Sequence, residues 1–266
     1  MSVGTVIEKC RADNRAALIG YLPVGFPTVE GSIKAMKVLV ESGVDIVEIG
    51  VPYSDPVMDG PVIQDAAVRA LAGGVHLSDI FTAAREVSAA GAGALVMTYW
   101  NPVLRYGVER FAADLAAAGG AGLITPDLIP DEAGDWITAA DAHDLDKVFL
   151  VAPSSTPERL AAVTSACRGF VYATAVMGVT GARASVGDAA DALVSRTREH
   201  TDLPVCVGLG VSTGDQAAEV GRYADGVIVG SALVRCLTEA DSEEQGLEAL
   251  GALARELADG VRRGRS

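Results

Sequence analysis

Basic residues are scarce in this chain. Lys and Arg together number 21 against 35 Asp and Glu, a formal net charge of −14 at pH 7. So acidic a molecule repels phosphodiester backbones and anionic lipid, which argues against nucleic acid or a membrane surface as the main partner. A local phosphate site stays open, because backbone N–H groups bind anions without any lysine. Histidine and cysteine are scarcer still. His76, His143 and His200 show no ligand spacing, and Cys10, Cys167, Cys206 and Cys236 form no CxxC pair. The cysteines read as small reduced residues, and no structural metal is expected. No stretch offers the roughly 18 consecutive apolar residues of a membrane span. The start, Met1-Ser2-Val3-Gly4-Thr5, lacks the basic flank and apolar core of a secretory signal. The expectation is a soluble, cytoplasmic protein.

What the chain does have is hydrophobic residues, half of its 266, with 21% charged, a balance that excludes bulk disorder. Short apolar runs recur at 17–21, 45–50, 94–98, 122–125, 147–151, 169–174, 205–208 and 226–229. Each is bounded by Gly, Pro or Asp. Their near-continuous apolar character, rather than strict alternation, is that of parallel strands covered on both faces. Between them lie helix-like segments at 29–41, 77–90, 108–118, 132–143, 157–167, 188–200 and 213–223. Thr156-Pro157-Glu158 offers a hydroxyl cap, a first-turn proline and an acid suited to the helix dipole; Thr28 and Ser78 precede weaker versions. Eight strands alternating with helices predict an α/β fold, a single (β/α)8 TIM barrel domain over 1–266 with an N-terminal helix before the first strand. A doubly wound open sheet competes, but Gly20-Tyr21-Leu22-Pro23-Val24-Gly25 is interrupted by proline and makes no dinucleotide fingerprint.

In such a barrel the chemistry sits at the C-terminal strand ends. Glu48 is a carboxylate inside the apolar strand Val47-Glu48-Ile49, so it must be ion-paired, protonated or facing a ligand cavity. Partial desolvation would raise its pKa and suit it to proton transfer near neutral pH. Eleven positions on, Asp59 stands before Gly60-Pro61 in a loop stiffened by Pro52, Pro56 and Pro61. It either caps the following helix or returns to the mouth above Glu48. In the second case two carboxyls in unlike surroundings can take separate roles. Glycine-bearing loops follow the last three strands: Gly178-Val179-Thr180-Gly181, Gly208-Leu209-Gly210 and Gly230-Ser231. Glycines at helix starts admit an anion to free N–H groups, and late-strand loops are where barrels hold phosphate.

Val47-Glu48-Ile49-Gly50-Val51-Pro52-Tyr53-Ser54-Asp55-Pro56-Val57-Met58-Asp59-Gly60-Pro61 closely resembles the signature of tryptophan synthase α subunits. Matching segments follow in order: Gly25-Phe26-Pro27-Thr28, Tyr99-Trp100-Asn101-Pro102, Pro126-Asp127-Leu128, Ala152-Pro153-Ser154-Ser155-Thr156-Pro157 and the three glycine loops. The resemblance implies a lyase that splits indole-3-glycerol phosphate into indole and glyceraldehyde 3-phosphate. It also implies an α2β2 assembly whose β subunit carries pyridoxal phosphate, with no cofactor on this chain. Glu48 matches the catalytic acid/base, Asp59 the carboxylate at the indole N–H, and Tyr172 an active-site tyrosine. Tyr99 matches a residue lining the indole pocket, and Thr180 a loop threonine that positions the acid. Gly181, Gly210, Gly230 and Ser231 match the phosphate cradle, and Asp55 and Pro56 a loop that meets the β subunit. Met58 stands where alanine is common, Ile129 where proline is, and Ala175-Val176-Met177 replaces a more polar, arginine-containing stretch.

Overall fold

The structure is a computed structural model that describes residues 2–174, 184–208 and 210–265. Its strands are β1 (Ala17–Pro23), β2 (Ile46–Gly50), β3 (Gly93–Met97), β4 (Gly122–Ile124), β5 (Asp146–Val148), β6 (Leu150–Val151), β7 (Val171–Thr174), β8 (Val205–Gly208) and β9 (Gly226–Val229). Every pairing is parallel, in the order β5-β4-β3-β2-β1-β9-β8-β7-β6. The two ends of that order are neighbours in the chain, separated only by Phe149. β5 pairs with β4 (Leu123 beside Lys147) and β6 with β7 (Val151 beside Ala173), so this one stretch closes the sheet into a (β/α)8 barrel. The fifth expected strand, 147–151, is therefore one strand whose halves bond in opposite directions.

Two hydrophobic layers follow from the alternation of side chains along each strand. Facing inward, Ala17, Ile19, Ile46, Leu95, Ile124, Val148, Cys206 and Ile228 fill the cylinder. Facing outward, Leu18, Val47, Ile49, Val96, Leu123, Val207 and Val229 pack beneath the surrounding helices. Both faces are buried, which is why the strands read as apolar runs. The helix Val3–Ala12 inserts Val3, Ile7 and Cys10 into the inner layer and plugs the N-terminal end of the cylinder.

Charge locks that end. The buried Asp146 carboxylate accepts from the Val3 N–H at 2.7 Å and the Ser2 hydroxyl at 2.9 Å. Asp225, also buried, takes Arg11, Arg198 and Arg265 together with the Val205 N–H. Burial alone would raise its pKa, but these donors outweigh it and hold the carboxyl far below its ordinary range. Structure is secured at one rim; the other is left for chemistry.

The helix caps follow the sequence in two cases. Thr28 accepts from the Gly31 N–H at 3.0 Å and Thr156 from the Arg159 N–H at 3.3 Å. Ser78 does not cap: His76 takes that position, and its N–H donates to Asp79 at 2.8 Å. The helix expected over 132–143 begins instead at Gly134, because Pro130–Glu132 form a separate 3-10 turn. A short helix, Trp100–Tyr106, follows β3.

Candidate active site

Inward-pointing residues at the C-terminal strand ends converge on one mouth. On β2 the inward set is Ile46, Glu48 and Gly50; on β1 it is Ala17, Ile19 and Tyr21, with Tyr21 directly beside Glu48 in the ladder. Tyr172 projects inward from β7, across the mouth. The two tyrosines need glycine opposite them. A Cβ on Gly50 would overlap the Tyr21 hydroxyl and ring, and one on Gly208 would lie 2.7 Å from the Tyr172 hydroxyl. Glycine at those strand ends keeps the rings inside the cylinder.

Glu48 is 1% exposed, and its Oε2 has no hydrogen-bond partner. No described cation pairs with it, so the ion-pair alternative fails. Burial first, and then the nearby Asp59 charge, push its pKa up to about 8. The carboxyl is thus mostly protonated at neutral pH, a proton donor at the C-terminal strand ends.

Asp59 does not cap the helix Pro61–Ala72. Gly60 holds the cap position and offers no side chain, while the Gln64 amide closes on the Asp59 backbone carbonyl at 2.7 Å. The Asp59 carboxylate instead accepts from the Tyr99 hydroxyl at 3.3 Å. That hydroxyl also accepts from the Val57 and Met58 N–H groups, at 3.0 and 2.9 Å. Tyr99 is therefore a strut: three bonds to one oxygen fix residues 57–59 over the mouth. Burial raises the Asp59 pKa, and the Tyr99 bond works against that rise by favouring the anion. Tyr99 is itself held by its neighbours. Its ring lies 5.1 Å from that of Tyr53, and the next residue, Trp100, donates its N–H to Asp127 at 2.9 Å.

Gly210 and Gly230 stand at the exits of β8 and β9, on the same rim. Gly210 has φ +69°, a left-handed conformation that a side chain would strain. Gly230 precedes the helix Ser231–Thr238, whose first turn has no side-chain cap, leaving N–H groups for an anion. A Cβ on Gly230 would touch Tyr21 Cβ at 3.5 Å and Ile63 Cδ1 at 3.7 Å, ordinary contacts. The cradle thus abuts Tyr21, which abuts Glu48. Thr180 and Gly181 lie outside the described residues. Among the described residues, no cluster of His, Cys, Asp and Glu is arranged to hold a metal, and no helix is long and apolar enough to cross a membrane.

Tyr21 and Asp127 had no role in the sequence reading. Asp127 appeared only inside a matching segment. Tyr21 was detectable by parity alone: counting inward from Ala17 and Ile19 places it at the mouth.

A tryptophan synthase alpha chain family model matches residues 7–262. The chain belongs to the tryptophan synthase alpha chain family. It is 63% identical to the alpha chain of Mycobacterium ulcerans (strain Agy99) over 264 residues, 99% of this chain and 96% of that one. With the alpha chain of Mycobacterium marinum (strain ATCC BAA-535 / M) it shares 64% over 260 residues, covering 98% and 94%. Its fold matches the Mycobacterium tuberculosis tryptophan synthase structure in space group F222 with a TM-score of 0.91, at 62% identity and 98% coverage of each chain. The alpha subunit from Legionella pneumophila str. Paris, at 32% identity, still gives a TM-score of 0.89 with 98% of each chain covered. As a member of this family the chain is a carbon–carbon lyase of tryptophan biosynthesis: it cleaves indole-3-glycerol phosphate to indole and glyceraldehyde 3-phosphate and works with a β subunit.

Proposed function

We propose that Glu48 moves the protons of this cleavage and Asp59 stabilises the charge it creates, with the substrate phosphate held at Gly210, Gly230 and Ser231. The observation that carries the reading is Glu48 itself, a buried carboxyl with one oxygen unpartnered and a pKa raised to about 8 beside a second carboxyl. Indole leaves a C–C bond only as a stabilised group, so C3 must first gain a proton. Neutral Glu48 supplies it. The resulting cation spreads to the ring nitrogen, where the Asp59 carboxylate, fixed in advance by Tyr99, opposes it in a site of low polarity. Glu48, now anionic, takes the proton of the glycerol hydroxyl. The O–H electrons form the aldehyde C=O, and the C–C electrons return to the indole ring. Tyr172 closes the far wall of the pocket, and Thr180 and Gly181 complete the constellation by resemblance.

The described chain acts as one barrel unit in the cytoplasm, within an α2β2 assembly. Pyridoxal phosphate belongs to the β subunit, which condenses the released indole with serine; the lyase step runs on this chain's own side chains. The loops after β2 and β4 and the helix after β3 present Val57, Met58, Ile129 and Leu104, all exposed apolar side chains on the connections that leave the C-terminal strand ends. Such a surface suits a partner that receives indole without releasing it to water.

The pH dependence of kcat/KM tests the proton-donor role. In the free enzyme the active form carries Glu48 protonated, so kcat/KM stays level at neutral pH and falls as pH rises through about 8. A profile that rises through that region would assign the opposite ionisation and overturn the role. Gly230→Val tests the cradle. A Cβ there makes only ordinary contacts, and the added branches crowd the N–H groups at the start of the helix Ser231–Thr238, so KM rises by about tenfold or more while kcat changes less, in keeping with lost uniform binding. An unchanged KM would remove Gly230 from the phosphate site.

A further inference from the structure

Glu48 stands beside a tyrosine that the proposed chemistry leaves unused. Tyr21 lies directly beside it in the β1–β2 ladder, on a strand one spacing away, and both side chains point into the cylinder. The tyrosine does not run straight across. Its Cβ sits against Gly230 on the β9 side, and its hydroxyl reaches over Gly50, two residues above Glu48 on the same face of β2. The side chain thus spans the floor of the mouth from the phosphate cradle to the carboxyls, with its oxygen next to the place where the Glu48 head group emerges. Glu48 Oε2 is a buried oxygen without a hydrogen-bond partner. A buried acceptor left without a partner calls for a donor, and the neighbouring strand supplies a hydroxyl on the same face.

We propose that Tyr21 is a positioning residue: its phenol hydroxyl donates to the Glu48 carboxylate when the substrate seals the mouth, holding the other oxygen toward the reacting carbon and hydroxyl. This rests on Glu48 being the proton-transfer group. Tyr172, which feels the Glu48 charge from β7 across the mouth, is the alternative donor; Tyr21 is the one adjacent to Glu48 in the ladder. Glu48 feels the Asp59 charge, and its own charge acts on Tyr21, Tyr172 and Cys206; no cation is among these groups. A hydroxyl is therefore the group available to favour the Glu48 anion.

Tyr21→Phe removes only that oxygen and keeps the ring that Gly50 and Gly230 accommodate. With the enzyme assembled with its β subunit, kcat for indole release is expected to fall about three- to tenfold while KM stays within about twofold, because the lost bond acts on the reacting group rather than on substrate binding. In the substrate-bound enzyme a hydrogen bond to the anion lowers the carboxyl pKa, so its loss moves the alkaline limb of kcat, which reports that complex, upward by about half to one pH unit. Superimposable profiles and kcat for Tyr21→Phe and wild type would overturn the proposal. So would a limb that moves in Tyr172→Phe but not in Tyr21→Phe. Glu48→Gln, measured alongside, separates the two layers of inference. If it retains activity, the assignment of Glu48 fails. If it is inactive while Tyr21→Phe behaves as wild type, the positioning role alone fails.

Discussion

Glu48→Gln lowers kcat for indole-3-glycerol phosphate cleavage by about 10²–10⁴-fold, the range that general acid–base catalysis contributes. The amide has the size of the acid and cannot give up or accept the proton the reaction needs, whereas the phosphate cradle and Asp59 are untouched. KM therefore stays close to wild type, and the loss falls on turnover. The alkaline limb near pH 8 disappears with the group that makes it. The fold should not suffer. Glu48 has no ion-pair partner to orphan, and a buried carboxyl that must shed its charge to remain buried contributes little to stability. A thermal melt at or above the wild-type midpoint, together with lost turnover, is the expected pair of results. Turnover within tenfold of wild type would remove Glu48 from the reaction.

The opposite signs of these two effects show what makes such a residue visible in a sequence. A chain selected only for stability would put valine at 48, between Val47 and Ile49. The carboxyl violates the local pattern, and the violation marks the site. The barrel was legible for a related reason: parallel strands buried on both faces leave long apolar signals separated by capped helices. Gly50 and Gly208 were less informative in sequence, because a glycine at a strand end is usually a turn. Only the structure reveals that each yields its side-chain space to a tyrosine from another strand.

What sequence could not supply is contact between distant segments. Asp59 had two readings, helix cap or mouth residue, and nothing local chose between them. The choice is made by Tyr99, forty positions away, whose hydroxyl binds the backbone ahead of Asp59 and then its carboxylate. The division of 147–151 into β5 and β6 was hidden likewise, since it depends on which neighbours β4 and β7 present to each half. Residues 57–59 show the general case. A loop with exposed Val57 and Met58 is held firmly, not by its own packing, but by one oxygen contributed from the next strand end.

Asp59→Asn reduces turnover by about 10²-fold or more and leaves substrate affinity nearly unchanged. Asparagine keeps the shape and can accept from the Tyr99 hydroxyl, so residues 57–59 should stay where Val57 and Met58 are tethered. The charge is lost. In the ground state the indole N–H needs only an acceptor, which an amide oxygen supplies; in the transition state the ring nitrogen carries positive charge, which the amide does not oppose. Stabilisation confined to the transition state appears in kcat and not in KM. A second consequence separates charge from position. The Asp59 anion is one of the two causes of the high Glu48 pKa, so neutralising it lets that pKa fall toward its ordinary value while burial keeps it raised. The alkaline limb of kcat/KM should then move downward in Asp59→Asn, whereas the limb of kcat moves upward in Tyr21→Phe. A substitution whose main effect was on KM, or whose limb stayed near pH 8, would show that Asp59 grips the substrate without facing either the developing cation or Glu48.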